Sequence, residues 1–276
     1  ASEEQLTASS NLKAVVIPWA GLPKQMAELM RAFPDISLHN LHHNAITTAE
    51  TALALLFTAA KQTHVYDAQL RQDDWRGRYR PNPAIKLSGK SMLILGYGSI
   101  GKHVARAALA MGMKVKGIKR TASVDDLGVE SFPVEALPDL LPETHVLMVT
   151  MPLTDSTERM IGEHELSLMK EPAILINVGR GPVVDQKALY EALKMGKLAA
   201  AGIDVWYNYP PDEEARANTP PSDYPLNEFE NLVFSPHRGG GSIEVEELRI
   251  EHLAGLINAA ARGEQIPNKV DLAAGY

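Results

Sequence analysis

The chain of 276 residues contains no cysteine. Disulfides, thiolate zinc centres, iron–sulfur clusters and thiol nucleophiles are therefore excluded as sources of stability or chemistry. A cysteine-free chain is compatible with a reducing compartment. There is also no excess of positive charge: 27 Lys and Arg stand against 34 Asp and Glu, a formal net charge of -7, without a basic block. That balance argues against nucleic acid and anionic membrane as partners. No apolar run reaches the roughly 20 residues that a bilayer-spanning helix needs. The opening residues Ala1-Ser2-Glu3-Glu4-Gln5 lack the basic and apolar regions of a secretory signal, so a cytoplasmic location is expected. Hydrophobic residues make up 45% and charged residues 22%, enough to bury a full core. The length suits two unequal domains.

What is present reads as strands alternating with helices. Leu12 to Pro18 is a short β-rich run closed by proline. Gln25 to Phe33 has helical spacing, Ile36-Ser37-Leu38 another short strand, and Ala45 to Arg71 a long Ala- and Leu-rich helical pattern. Pro81 and Pro83 mark a junction. From Ser91 the alternation is regular. Strands are expected at Met92 to Leu95, Val115 to Ile118, Val146 to Val149, Ala173 to Asn177, Ala200 to Val205 and Leu232 to Phe234. Helices are expected over 102–111, 187–195 and 243–262, with a turn-rich link through Pro138 and Pro142. Tyr209 to Pro225, with five prolines, reads as a surface loop. The pattern implies an α/β chain with a Rossmann-type, doubly wound parallel sheet.

Gly96-Tyr97-Gly98-Ser99-Ile100-Gly101 fits G-x-G-x-x-G. The pattern is weak alone. Here it follows an apolar strand and opens a helix, which is the context of a dinucleotide site. Gly96 permits the tight turn, Gly98 lets a pyrophosphate approach the backbone, and Gly101 lets helix and sheet pack closely. The helix N-terminus offers its first N–H groups to phosphate. Where an acidic residue would hold a ribose 2′-hydroxyl, the chain reads Lys119-Arg120-Thr121. Two cations and a hydroxyl suit a 2′-phosphate, so NADP is favoured over NAD. The alternative is a pair of solvated surface cations.

Several further motifs follow in order: Asn44 to Glu50, Met151-Pro152-Leu153-Thr154 with Thr157, Asn177-Val178-Gly179-Arg180-Gly181, Gly202-Ile203-Asp204-Val205, and Ser235-Pro236-His237-Arg238-Gly239-Gly240. Together with the glycine turn they resemble the D-isomer-specific 2-hydroxyacid dehydrogenase family from about Asn11 onward. The resemblance implies a dinucleotide-binding domain over 45–241. It also implies a smaller, N-terminally shortened, flavodoxin-like lid domain from 1–44 and 242–276. It implies hydride transfer between a nicotinamide and a small 2-keto or D-2-hydroxy acid, glyoxylate- or hydroxypyruvate-like, in a homodimer. Arg180 would hold the substrate and His237 act as acid and base. Ala20, Gly21 and Leu22 would bind the substrate carboxylate through backbone N–H groups. Met151, Pro152, Thr157, Val178, Gly179, Asp204 and Gly239 would line the cofactor, with Pro152 at the adenine wall and Asp204 at the carboxamide.

The chain departs from that pattern in four places. Tyr209 occupies the position where the family usually places a glutamate partner for the histidine. A carboxylate would favour the imidazolium and a phenol can only hydrogen-bond, so a lower His237 pKa is expected. Asp212, Glu213 or Glu214 are alternative partners. Arg238 replaces an apolar residue, either to bind a second anionic group of the substrate or to pair with the acidic loop. Only about ten residues precede the first strand, so the lid is either trimmed or reduced. His39, His42 and His43 form a cluster read as lining the substrate cleft rather than as a metal site, and no metal is expected. A dinucleotide-sensing regulator of the same superfamily and a formate-dehydrogenase-like enzyme are the competing readings.

Overall fold

The computed structural model describes residues 2–8 and 10–275. In chain order the strands are β1 (Ala14–Ile17), β2 (Ser37–Asn40), β3 (Ser91–Leu95), β4 (Lys114–Ile118), β5 (Ser123–Val124), β6 (Glu130–Phe132), β7 (Val146–Val149), β8 (Ala173–Asn177), β9 (Leu198–Ile203) and β10 (Leu232–Phe234). The helices are α1 (Glu3–Thr7), α2 (Lys24–Arg31), α3 (Ala45–Lys61), α4 (Thr63–Leu70), α5 (Ser99–Ala110), α6 (Leu137–Leu140), α7 (Glu163–Leu168), α8 (Gln186–Lys194) and α9 (Val245–Ala261). Two compact units result, one of residues 1–47 with 240–276 and one of residues 48–239. Among the described residues, no helix is long and apolar enough to cross a membrane.

In the smaller unit, β1 and β2 pair in parallel, Ala14 opposite Ser37 and Ile17 opposite Asn40. Parallel pairing requires a crossover, and α2 provides it. Leu6, Ile17, Met30, Leu38 and Val270 form the core. The C-terminal segment is held to β2 by Val270 N–H donating to the Leu38 carbonyl (2.8 Å).

The larger unit is built on an eight-stranded sheet in the order β10-β9-β8-β7-β3-β4-β6-β5. All its pairs are parallel except β5 with β6. The chain begins at β3, builds outward through β4, then returns to β7 on the other side. The β3/β7 junction is therefore a topological switch point, and ligands of open α/β sheets bind beyond the carboxyl ends of the strands there. Strands β7 and β8 are buried at every residue. Alternate residues serve opposite faces: Leu93, Leu95, Leu147, Val149 and Leu175 enter one core cluster, while Met92, Ile94, Met148, Ile174 and Ile176 enter the other. Helices cover both faces, which explains apolar runs without polar alternation.

Three local differences from the sequence reading have physical causes. The helical pattern of 45–71 is broken at Gln62, which adopts a left-handed backbone (φ 52°). Near the break, Ile85 N–H takes the Ala60 carbonyl (2.7 Å) and Lys61 Nζ donates to the Ile85 carbonyl (2.7 Å). The link at 138–142, expected as a run of turns, forms two short helices, because each proline sits in the first turn of one, where no N–H is needed. The β5–β6 hairpin was not expected; its strands have only two and three residues, too short for a periodic signal.

Candidate active site

The glycine turn follows β3. Gly96 has φ 99°, and a Cβ there would lie 2.7 Å from Met151 N, so both conformation and space demand glycine. Gly96 and Tyr97 N–H both donate to the Ile118 carbonyl, at 3.0 and 2.8 Å, sewing the turn to the end of β4. Gly101 packs α5 on the sheet; a Cβ there would stand 2.9 Å from Ile94 Cγ2. Gly98 differs: its absent Cβ would meet nothing within 4 Å. Gly98 is also the residue capping α5, and no side chain caps the helix there. Open space in front of uncapped N–H groups of Ser99 and Ile100 fits a dinucleotide pyrophosphate.

The adjoining loops close on this turn. Thr150 Oγ1 donates to the Gly96 carbonyl (2.7 Å). A Cβ on Gly179 would lie 2.5 Å from the Met151 carbonyl oxygen, so the loops after β7 and β8 are in direct contact. Thr157, buried, donates to the Pro152 carbonyl (2.8 Å). Val178 N–H donates to the Val149 carbonyl (3.0 Å). Lys119, Arg120 and Thr121 follow β4, with Lys119 N–H bonded to the Phe132 carbonyl (3.0 Å); Arg120 and Thr121 are exposed.

Arg180 lies just beyond β8. Asn177 shapes its loop: Oδ1 accepts from Gly179 N–H (3.0 Å) and Nδ2 donates to the Arg180 carbonyl (3.0 Å). The guanidinium is half-buried and spends one N–H on the Gly179 carbonyl (2.7 Å), leaving the rest of its fork. His237 follows β10 and has a positive φ of 57°. Its Nδ1 lies 2.9 Å from the Tyr209 hydroxyl. That hydroxyl also accepts the Trp206 N–H (3.0 Å). Partial burial, then the Arg180 charge, lowers the His237 pKa, with Asp204 opposing. Burial likewise raises that of Tyr209.

Asp204 is 2% exposed. Its Oδ1 accepts from the Ser235 hydroxyl and from Arg238 N–H at 2.9 Å, and its Oδ2 from Gly239 N–H at 2.9 Å. The carboxylate thus brackets His237 from both sides in sequence. Trp206 adds to the bracket by stacking on Phe234 (centroids 4.8 Å) and donating Nε1–H to the Ser235 carbonyl (2.8 Å). Sequence reading missed Ser235 and Trp206 as positioning groups, and their neighbourhood of Asp204 and His237 was the available signal.

Arg180, Asp204, Tyr209 and His237 are therefore gathered within the larger unit. Ala20, Gly21 and Leu22 lie in the smaller unit, in the bend after β1, where Asn40 Nδ2 donates to the Ala20 carbonyl (2.8 Å). The acidic loop is engaged locally: Asp212 accepts from Ala215 N–H (2.9 Å) and Glu213 pairs with Arg216 (2.7 Å). His39 bonds the Pro267 carbonyl (2.7 Å) and Ser37 Oγ (2.9 Å) through its two ring nitrogens, and buried His43 meets His252 edge-on (6.5 Å).

A glycine turn at the switch point of a parallel sheet, opening an uncapped helix, defines a dinucleotide-binding domain of the Rossmann type. The family model for the D-isomer specific 2-hydroxyacid dehydrogenase NAD binding domain matches residues 53–239. The chain belongs to the D-isomer specific 2-hydroxyacid dehydrogenase family. It is 40% identical over 230 residues to a glyoxylate reductase of Korarchaeum cryptofilum, covering 82% of this chain and 66% of that protein. It is 30% identical over 241 residues to a hydroxypyruvate reductase of Thermotoga maritima, covering 87% and 75%. The chain thus spans just under two thirds of the glyoxylate reductase's length. Among solved structures it is similar to an NADPH-dependent glyoxylate/hydroxypyruvate reductase of Sinorhizobium meliloti in complex with NADP and malonate. The TM-score is 0.77 at 27% identity, covering 97% of this chain and 80% of that one. A probable 2-hydroxyacid dehydrogenase of Rhizobium etli shares the fold, with TM-score 0.82 at 24% identity over 100% of this chain and 83% of that one.

Proposed function

We propose that this protein is an NADP-preferring oxidoreductase that interconverts a small 2-keto acid, glyoxylate- or hydroxypyruvate-like, and its D-2-hydroxy acid. The observation that carries the reading is the grouping of Arg180, Tyr209 and His237 beyond the carboxyl ends of the strands, in a family whose similar members include glyoxylate and hydroxypyruvate reductases. The bound nicotinamide supplies or accepts the hydride at the substrate's C2.

Arg180 pairs with the substrate carboxylate through the part of its fork not committed to Gly179, and polarises the keto oxygen. His237 gives the proton to that oxygen in reduction and removes it in oxidation. The acid form carries protons on both ring nitrogens. Nδ1–H then donates to the Tyr209 oxygen, whose other lone pair already holds the Trp206 N–H. Nε2–H is the proton delivered. Afterwards the neutral ring keeps its Nδ1 proton, and Nε2 is ready to act as base. Tyr209 therefore fixes the tautomer without the charge of a carboxylate. A bound substrate anion offsets the Arg180 charge and returns His237 toward the imidazolium form.

Lys119, Arg120 and Thr121 receive the ribose 2′-phosphate. Several neighbours of the fold are complexes with NADP or NADPH, which supports this preference. Homodimerisation is part of the proposal, supported by the exposed apolar groups Phe57, Leu70, Trp75 and Tyr79 of the larger unit; light scattering at a monomer mass would reject it. The principal experiment follows nicotinamide absorbance with a panel of small 2-keto acids, with NADPH and NADH. Turnover is expected with NADPH and glyoxylate or hydroxypyruvate, and its survival in Arg180→Ala and His237→Ala would overturn the site.

A further inference from the structure

Tyr97 occupies the first variable position of the glycine turn, yet its side chain turns inward. It is 3% exposed, and its ring lies so close over β4 that a Cβ on Gly117 would stand 2.6 Å from its Cγ. From there the hydroxyl donates to Asp125 Oδ2 (2.6 Å). The other oxygen of Asp125 accepts from Leu127 and Val129 N–H, both at 3.0 Å. Burial first, and then Asp125, raises the Tyr97 pKa well above the usual phenol range. The Tyr97 hydroxyl, and then the backbone N–H groups, lower that of Asp125. The phenol stays protonated and donating, and the carboxylate stays charged and accepting.

This bond closes a loop. Ile118 and Asp125 enclose the segment 119–124, which holds the Lys119–Ala122 bend and β5, and both are tied to Tyr97: one through Tyr97 N–H on the Ile118 carbonyl, the other through the hydroxyl on Asp125. The β5–β6 hairpin stiffens the far end, with Ser131 Oγ donating to the Ser123 carbonyl (2.9 Å). Asp125 is a negative charge on the same short segment as the cations Lys119 and Arg120. A carboxylate facing a ribose 2′-phosphate would repel it. Three hydrogen bonds instead aim this carboxylate at the protein.

We propose that Tyr97 is a positioning residue for 2′-phosphate selectivity: it holds the Lys119–Ala122 bend and turns the Asp125 carboxylate away from the adenosine ribose. The proposal rests on the reading of Lys119 and Arg120 as a 2′-phosphate site. Without the hydroxyl, Asp125 Oδ2 loses its donor; Oδ1 keeps its two backbone N–H bonds, but the charge is no longer offset at Oδ2 and repels a 2′-phosphate bound on the same segment.

The test compares binding of two cofactor fragments, 2′,5′-ADP and 5′-AMP, by calorimetry on the whole chain. Wild type is expected to bind 2′,5′-ADP the more tightly. Tyr97→Phe keeps the ring over Gly117 and is expected to weaken 2′,5′-ADP about tenfold, the scale of a hydrogen bond to a charged group, while 5′-AMP changes less than about twofold by the same reasoning. Asp125→Asn on top of Tyr97→Phe removes the freed charge and is expected to restore most of the loss. Equal weakening of both fragments would reduce Tyr97 to packing of the turn and overturn the proposal, as would no change in either or no rescue by Asp125→Asn. Should Tyr97→Phe fold poorly, Asp125→Lys at intact Tyr97 replaces it, with weaker 5′-AMP and 2′,5′-ADP binding alike again overturning the proposal and a change confined to 2′,5′-ADP supporting it. A wild type without preference for 2′,5′-ADP would instead defeat the underlying 2′-phosphate reading, a failure visible before any variant is made.

Discussion

The hydroxyl of Tyr209 lies 2.9 Å from Nδ1 of His237 and accepts the backbone N–H of Trp206 at 3.0 Å. A neutral partner stands where a charged one would hold the imidazolium. Burial and Arg180 already lower the His237 pKa, and nothing at Nδ1 raises it strongly. Reduction requires the imidazolium, so kcat/KM for reduction should fall as pH rises through a value below the ordinary 6.5 of histidine. Oxidation requires the neutral ring and should persist above that value. Tyr209→Glu should move both limbs to higher pH, because a carboxylate favours the protonated ring. NMR titration of His237 in the two proteins measures this directly, and coincident titration curves would refute it.

Arg180 should be intolerant of lysine. Its fork is planar, and one arm is fixed on the Gly179 carbonyl at 2.7 Å. An ammonium cannot make that bond and still present a bidentate face to a carboxylate. Arg180→Lys is expected to raise KM for the keto acid and to lower kcat, since polarisation of the keto oxygen is lost with carboxylate pairing. Cofactor affinity should be unchanged, because Arg180 is assigned to the substrate. Steady-state kinetics beside fluorescence titration with NADPH separate the two effects.

The chain announces some of these features plainly and others not at all. The doubly wound sheet is legible because buried parallel strands give unbroken apolar runs, as in Val146 to Val149 and Ala173 to Ile176. The glycine turn is legible because its spacing is fixed by local backbone geometry at Gly96 and Gly101. The β5–β6 hairpin escapes because two or three residues hold no period. The break at Gln62 escapes because the partner that takes up the nearby Ala60 carbonyl is Ile85, which lies far along the chain. The same limit applies to the site. Asp204 reads as one residue of a motif, yet its three partners stand 31 to 35 positions later, and only folding brings them together.

Asp204 should therefore matter to stability as well as to activity. In Asp204→Asn the amide must turn an NH2 toward one of the donors now served by the carboxylate, whether Gly239 N–H or the Ser235 and Arg238 pair. Leaving a buried donor unmet costs about 1–3 kcal/mol. The segment that slackens is the one carrying His237 at φ 57°, so kcat should fall further than a loss of stability alone produces. Thermal melts and turnover at a temperature well below the melt distinguish the two. An Asp204→Asn protein with wild-type Tm would show that these bonds do not hold the loop.

Gly96 and Gly98 make the sharpest contrast, because two glycines of one motif should fail in different ways. Alanine at Gly96 would meet both a φ of 99° and the backbone of Met151 at 2.7 Å. Backbone strain of about 1–2 kcal/mol for an L-residue at positive φ adds to that collision, so Gly96→Ala should lower Tm and soluble yield. Alanine at Gly98 meets nothing within 4 Å and needs no left-handed backbone. Gly98→Ala should still fold, with a Tm lowered only by the roughly 1 kcal/mol or less that alanine costs relative to glycine at a helix N-cap. Its methyl group, however, would project into the open space in front of the α5 N-terminus, where the pyrophosphate has to approach the backbone. Dinucleotide binding should then be lost from a fully folded protein. Differential scanning calorimetry gives the first quantity and quenching of intrinsic fluorescence by NADPH the second. Wild-type affinity in Gly98→Ala would mean that the cofactor does not bind across this turn.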